Sequence, residues 1–346
     1  MTTTISKPTV NDLARHAGVS LATVDRVLNA RPGVRPVTRD RVNKAIAELG
    51  YIRDTAAANL ARNRVYRFTF VFPDSPSEFY DALEAQIHSQ SDALSNERTL
   101  LNIKRTQAYD SQSVVVALDG LVSQGVDGIA VNAPETPAVR DAIDRARKAG
   151  IVVVALISDL PSSLRDHFIG IDNRSAGQTA AQLMGRFIDV SSGYILFLTS
   201  ARLARDHLER RHGFDTVMSA RFPKFKVLPT IEVRDDAELV DRVLPNVFKT
   251  WDGITGIYAS LSSNRGLIDY LQQSVIKPVV IAHELTPASR GGLQQGMFDA
   301  LISQDTGHIV RSAVRLMRTT VESVPHNAPQ ERIRIDIFLK ENLPPP

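Results

Sequence analysis

Arg26, Leu21 and Ala22 are the first side chains along this sequence whose types and spacing could do chemistry. They fall in a short segment where Val24, Val27 and Leu28 would face a core, leaving Leu21, Ala22, Asp25 and Arg26 outward. A guanidinium can bond two acceptors on a guanine edge at once, and small apolar side chains can touch a thymine methyl. Two elements must hold that face in place. Val10, Leu13, Ala14 and Ala17 recur at i, i+3, i+4 and i+7, which predicts a helix. Thr9 followed by Asp12 is an N-cap signature, Gly18 is a natural terminator, and Ser20 opens the second helix. Two short helices joined by a tight turn, the second carrying an exposed arginine, have the layout of a DNA-binding helix-turn-helix. Taken alone, the pattern also suits helical proteins that never touch DNA.

Charge distribution bears on that choice. The net charge of +3 over 346 residues is uneven. Residues 1–64 hold 11 Lys and Arg against 5 acids, a balance of +6, and the rest of the chain has −3. A basic head on a slightly acidic body fits a head that meets a polyanion. Cysteine is absent, so disulfides and thiolate metal sites are excluded. No apolar run is long enough to span a bilayer. The first eight residues contain no apolar stretch of the kind a secretory leader has, so a cytoplasmic location is expected.

Beyond the first two helices, Arg31-Pro-Gly-Val-Arg-Pro-Val37 is rich in breakers. Thr38 is then expected to cap a third helix carrying Val42, Ala45, Ile46 and Leu49 and stopped by Gly50. Residues 51–64 look like a linker with a conditional helix. From Arg67 onward, short β-branched and aromatic runs alternate with amphipathic segments. The runs begin with Phe68–Phe72, Leu100–Ile103, Gly128–Val131 and Ile151–Ile157, and continue through Tyr194–Leu198, Val279–Ala282 and Ala300–Ile302. Some ten strands interleaved with helices predict two doubly wound parallel-sheet lobes over residues 65–346. The fold class expected is thus a small all-α head plus an α/β body. In such lobes ligands sit beyond the carboxyl ends of strands, so polar residues just after each run are site candidates.

These residues together resemble the lactose-repressor (LacI/GalR) family of bacterial regulators. The likeness rests on Val10-x-Asp12-Leu-Ala14, Ala17-Gly-Val-Ser20, Thr23-Val24, Arg26-Val27, Val42, Ala45-Ile46, Leu49-Gly-Tyr51 and Leu60-Ala61. In the body it rests on Val126-Asp-Gly-Ile129, Gly170-Ile-Asp-Asn173 with Ala176-Gly177, and Gln304-Asp305, similar to periplasmic sugar receptors. The resemblance implies that Leu21, Ala22 and Arg26 face base edges. It also implies that Thr9, Ser20, Thr23 and Arg39 hold phosphates, and that Leu60 wedges into the minor groove from a hinge helix ordered on DNA. Asp25 departs from the small hydroxyl common at its position; near phosphates an acid is unfavourable unless it pairs with a base amine or a neighbouring arginine.

For the body, the resemblance implies a sugar cleft, whose chemistry needs carboxylates with Arg or amide forks for vicinal hydroxyls and an apolar face for the ring. Asp159, Arg210, Glu284 and Gln304 are the expected ligand set, with Asp74, Phe79, Tyr80, Asn132 and Asn264 beside them. Ser262 and Ser263 compete with Asn264 because the register there is ambiguous. Trp251 reads as structural. The partners expected are a pseudo-palindromic operator duplex, a sugar, polyol or sugar acid, and a second copy of the chain, with neither cofactor nor metal. Three other readings are a regulator answering to a protein corepressor, a transport receptor, and an enzyme using Asp159 and Glu284. The missing leader and the basic head weigh against the receptor, and the absence of a paired nucleophile and base weighs against the enzyme.

Overall fold

A computed structural model of the chain describes residues 8–28, 31–51, 64–202 and 204–345. Leu60 and most of the expected linker lie outside the described residues. The chain divides into two compact units, Met1–Arg64 and Val65–Pro346.

The first unit holds α1 (Val10–Ala17), α2 (Leu21–Leu28) and α3 (Pro36–Leu49). The start of α1 is a full capping box: Asp12 N–H donates to the Thr9 hydroxyl, and Thr9 N–H to the Asp12 carboxylate. Gly18 ends α1 in the left-handed conformation, at φ 59°. Ser20 accepts Thr23 N–H at the entrance to α2. Leu13, Ala14, Ala17, Val24, Val42, Ala45 and Tyr51 form the core, and Val10 stays exposed. One expectation fails: α3 starts at Pro36 with Arg35 as its N-cap, so Thr38 lies inside the first turn. The fixed φ of proline, with its missing donor, suits the first helical position.

The second unit contains two sheets. The first runs β2-β1-β3-β4-β5, all parallel, from β1 (Tyr66–Asp74), β2 (Thr99–Gln107), β3 (Gly128–Val131), β4 (Val152–Leu156) and β5 (His167–Ile169). Alternation decides which side chain goes where. Phe68, Phe70 and Phe72 pack with α4 (Glu78–Ser95) and α12 (Thr306–Glu322). Val71, Ile129, Val131 and Val153 pack on the opposite face with α5 (Ser111–Gln124) and α6 (Pro137–Lys148).

The second sheet runs β12-β11-β10-β9-β6-β7, with β8 also on β6. Its strands are β6 (Gly193–Thr199), β7 (Phe225–Val227), β8 (Ile231–Glu232), β9 (Ile254–Ser260), β10 (Val279–His283), β11 (Ala300–Ser303) and β12 (Asp336–Phe338). β12 is antiparallel to β11, so this sheet departs from the all-parallel expectation at one edge. Leu196, Leu198, Ile257 and Val280 face α9 (Ala237–Thr250), α10 (Arg265–Gln273) and α11 (Pro287–Gln294). Ile195, Phe197, Tyr258 and Ile281 face α7 (Asn173–Phe187) and α8 (Arg205–Arg221). Both lobes are therefore covered on both faces. Trp251 stands edge-on to Tyr194, with centroids 5.1 Å apart.

Two glycines set the spacing of α7 and α8. A Cβ on Gly177 would lie 1.9 Å from the Arg210 carbonyl oxygen, and one on Gly213 would lie 2.0 Å from that of Arg174. Nothing backbone-like can yield there, so either Gly177→Ala or Gly213→Ala must push the helices apart. We expect each to lower unfolding free energy by about 1–3 kcal/mol or more in urea titrations. Gly120→Ala is the control: it meets open space in α5 and should be neutral or stabilising by up to about 1 kcal/mol. Equal effects at the three positions would contradict the packing account.

Candidate functional site

Arg210 projects from the middle of α8 and is 3% exposed. Its Nε donates to Asn173 Oδ1 at 2.8 Å, and Nη1 to Ser260 Oγ at 3.4 Å. Nη2 lies 3.6 Å from Glu284 Oε1. Asn173 is itself fixed, donating to the Ile157 carbonyl at 3.1 Å. Glu284 follows β10 directly and is gripped from β11: Gln304 donates to it through both its backbone N–H and its side-chain amide, each at 3.0 Å. His283 bonds the Tyr258 hydroxyl at 2.9 Å through Nε2.

Arg210, Glu284 and Gln304 border a cavity of about 120 Å³. A single water needs roughly 10–15 Å³ of such space, so the cavity suits a small organic molecule. Phe79 and Tyr80 wall one side, set edge to face at 5.5 Å, and Tyr80 accepts a hydrogen bond from Asn132 at 2.8 Å. Tyr109, Pro134 and Leu261 extend the apolar surface. Asp206, His207, Asp235, Ser158, Ser200 and Ser262 add polar groups.

Of the residues expected from the sequence, Phe79, Tyr80, Asn132, Arg210, Glu284 and Gln304 line this one cavity. Three do not. Asp159 is tied to Arg165 at 2.5 and 2.7 Å and borders a separate groove. The cause is Ile157, left-handed at φ 65°: Ser158 next to it lines the cavity, and Asp159 falls on the other side. Asp74 is largely exposed, 4.0 Å from Arg105, while Pro73 and Ser75 reach the cavity. Asn264 donates to the His283 carbonyl, and Ser262 lines the wall instead.

Asp206, His207 and Asp235 escaped the sequence reading. Asp206 and Arg210 are four apart on α8, the spacing of one helix face, which was a usable signal. Asp235 was harder to see. Both it and Arg234 are left-handed, and its carboxylate accepts the Ser200 and Ser262 hydroxyls at 2.5 Å and the Ser262 and Ser263 amides at 3.1 Å. Tyr109, Ile157 and Asp235 all pair positive φ with a place on the cavity wall. Such strain persists only where surrounding contacts enforce it, and it clusters at functional sites.

Electrostatics keep the site charged but unprotonated. Burial alone would raise Glu284, yet the His283 ring, 3.7 Å away, and the Arg210 charge hold it below the usual carboxylate range. Burial likewise opposes ionisation of Asp206, and His207 and Arg210 overcome it. Burial lowers both histidines, His283 to about 4, so both are neutral near pH 7. His207 stands between Ser260 Oγ, 2.9 Å from Nδ1, and Asp206, 3.8 Å from Nε2. The order is that of a hydrolytic triad. Ser260, however, is fully buried, also held by Arg210, and absent from the cavity wall, so a substrate carbonyl cannot meet it.

Side-chain bonds join the two lobes. Arg205 of α8 bonds Glu135 at 2.9 Å, and Ser77 donates to the Ser262 carbonyl at 2.8 Å. Glu78 accepts from Arg265 Nε and from Ala288 N–H, each at 2.9 Å.

On the head, Leu21, Ala22 and Arg26 are exposed on α2, with Thr23 partly so. Ser20 and Thr23 share a hydroxyl contact of 2.9 Å at its entrance. Thr9 and Arg39 are exposed at the starts of α1 and α3. Residues 9–54 match the family described as bacterial regulatory proteins, lacI family, and residues 68–322 match the periplasmic binding protein domain. The chain belongs to the periplasmic binding protein domain family through its body, and its head matches the lacI family.

The chain is 29% identical over 174 residues to catabolite control protein A of Priestia megaterium, covering 50% of each. It is 31% identical over 128 residues to the maltose regulon regulatory protein MalI of Escherichia coli, covering 37% of this chain and 36% of that one. The chain thus matches about half the length, or less, of these curated relatives. Both are regulators. A solute-binding protein from Burkholderia graminis, solved with D-arabinose, superimposes at a TM-score of 0.71 and 22% identity over 80% of this chain and 96% of that one. At that identity the likeness speaks to fold. No helix among the described residues is long and apolar enough to cross a membrane.

The buried histidine gives a pH signature. An unfolded chain binds the His283 proton near 6.5 and the folded one only near 4, so between these values the unfolded state holds the extra proton. Stability should rise with pH across that window. Asp206 and Glu284, depressed when folded, add stability above the ordinary carboxylate range that is lost as pH falls through their folded values. Urea midpoints measured from pH 4 to 7 are expected to climb, and His283→Gln should flatten the segment between 4 and 6.5. An unaltered slope in the variant would refute the assignment.

Proposed function

We propose that this protein is a sequence-specific DNA-binding transcriptional regulator, a repressor of genes for carbohydrate uptake or metabolism. A sugar or sugar-derived ligand in the cleft switches its operator binding. The observation that carries the reading is the joining, in one chain, of an exposed Leu21-Ala22-Arg26 face to a cavity built around the Arg210–Glu284 pair. Arg26 reads a guanine, while Ser20, Thr23, Thr9 and Arg39 hold phosphates and set register. Leu60, outside the described residues, is proposed as the minor-groove wedge.

In the cleft, Arg210, Glu284, Gln304, Asn132 and Asp206 bond the ligand's hydroxyls, and Phe79 and Tyr80 pack against its C–H surface. The protein works as a cytoplasmic homodimer on a pseudo-palindromic site, since a two-fold operator requires two heads. It performs no catalysis.

The test pairs two measurements on the full chain. Thermal shift against pentoses, hexoses, polyols and sugar acids should find at least one stabilising ligand, and Arg210→Ala should abolish its shift. Selection from a randomised duplex pool should return a two-fold motif. Arg26→Ala should weaken binding to it by about 1–3 kcal/mol, and the ligand should alter the affinity of the unmodified chain. Turnover of a hit sugar, or hits that survive Arg210→Ala, would overturn the cleft assignment.

A further inference from the structure

Asp25 is the one acid on α2, and helical geometry puts it on the reading face. It follows Leu21 by four residues and Ala22 by three, so its side chain shares their stripe. A bare carboxylate there would repel a polyanion. It is not bare: Arg31 Nη1 lies 3.2 Å from Asp25 Oδ2, with both side chains about half exposed at 55% and 48%. The Arg31 backbone is held as well, because its N–H donates to the Arg26 carbonyl at 2.8 Å.

An ion pair this exposed contributes little to stability, so its consequence must be sought elsewhere. The carboxylate engages one end of the guanidinium fork and biases its direction, and among the described residues the other N–H donors have no partner. A guanidinium held in this way loses less freedom when it binds two acceptors on one base.

We propose that Asp25 is a positioning residue that aims Arg31 at a guanine edge, making Arg31 a specificity-determining contact beyond Leu21, Ala22 and Arg26. The inference rests on the reading of the head as a DNA-binding unit. It makes two predictions of opposite sign for Asp25→Asn. Removing a negative charge from the face raises affinity for arbitrary duplex. Releasing Arg31 lowers discrimination at one base position.

The experiment is selection from a randomised duplex pool with the full-length protein, followed by anisotropy titrations on single-base variants of the selected site. The proteins compared are the unmodified chain, Asp25→Asn, Arg31→Ala, Arg31→Lys and Arg26→Ala, with far-ultraviolet circular dichroism as the check on helicity. Asp25→Asn, Arg31→Ala and Arg31→Lys are expected to lose about tenfold of preference at the same base position, and Arg26→Ala at a different one. Arg31→Lys keeps the charge and so should retain affinity for random duplex. If Asp25→Asn and Arg31→Ala only scale affinity and leave the selected sequence intact, or lose preference at different positions, the proposal fails while the DNA-binding reading stands. If the unmodified chain selects no sequence, that reading fails and this one with it.

Discussion

A guanidinium cannot shed its proton under any condition a protein survives. Placing one almost wholly out of water therefore obliges everything around it. Arg210 is in that position, and the surrounding structure is arranged to meet the obligation. Asn173 reaches it from the start of α7, Ser260 from the end of β9 and Glu284 from the end of β10. Glu284 has its own requirement, met from β11 by Gln304. The carbonyl of Arg210 can sit where it does only because residue 177 lacks a side chain. A buried ion pair is seldom a net gain over a well-packed apolar one. What it provides here is an oriented set of donors and acceptors that is already in place before a ligand arrives.

The same network explains why two histidines beside three carboxylates stay neutral. Their burial and the nearby guanidinium oppose protonation, so the polar lining can accept hydrogen bonds from hydroxyl groups without first losing protons. The apolar wall opposite is equally fixed: Tyr80 stacks on Phe72 at 5.8 Å and takes the Asn132 amide at its hydroxyl.

Much of this was legible in the sequence, for a definable reason. Strands buried on both faces must be written as short runs of β-branched and aromatic residues, so nearly every strand could be read directly. β12 could not, because Asp336, Ile337 and Phe338 are mostly exposed and form no buried apolar run. Strand ends also pointed to Glu284, Gln304 and Asn132. That rule gives a location and no direction, however, and one left-handed residue at Ile157 was enough to put Ser158 in the cavity and Asp159 outside it. Asp235 depends on two successive left-handed residues, Arg234 and Asp235, whose conformation no side-chain pattern announces. On the head, capping signals placed α1 to the residue, whereas a proline rather than a hydroxyl began α3.

The chain's path between the lobes bears on how it is made. The first sheet ends with β5 at Ile169, but one of its faces is covered by α12, Thr306–Glu322, whose Ile309, Val310, Ala313 and Met317 pack beneath Phe68 and Phe70. A ribosome must therefore build the whole of the second sheet's parallel set before the first lobe can close. At translation rates of roughly 5–20 residues per second, that interval lasts several seconds to tens of seconds. During it that aromatic sheet face has α4 but not α12 against it. The second lobe in turn lacks β12 until Phe338 has emerged. Neither lobe is finished before the other, so the two become stable nearly together, once β12 has emerged.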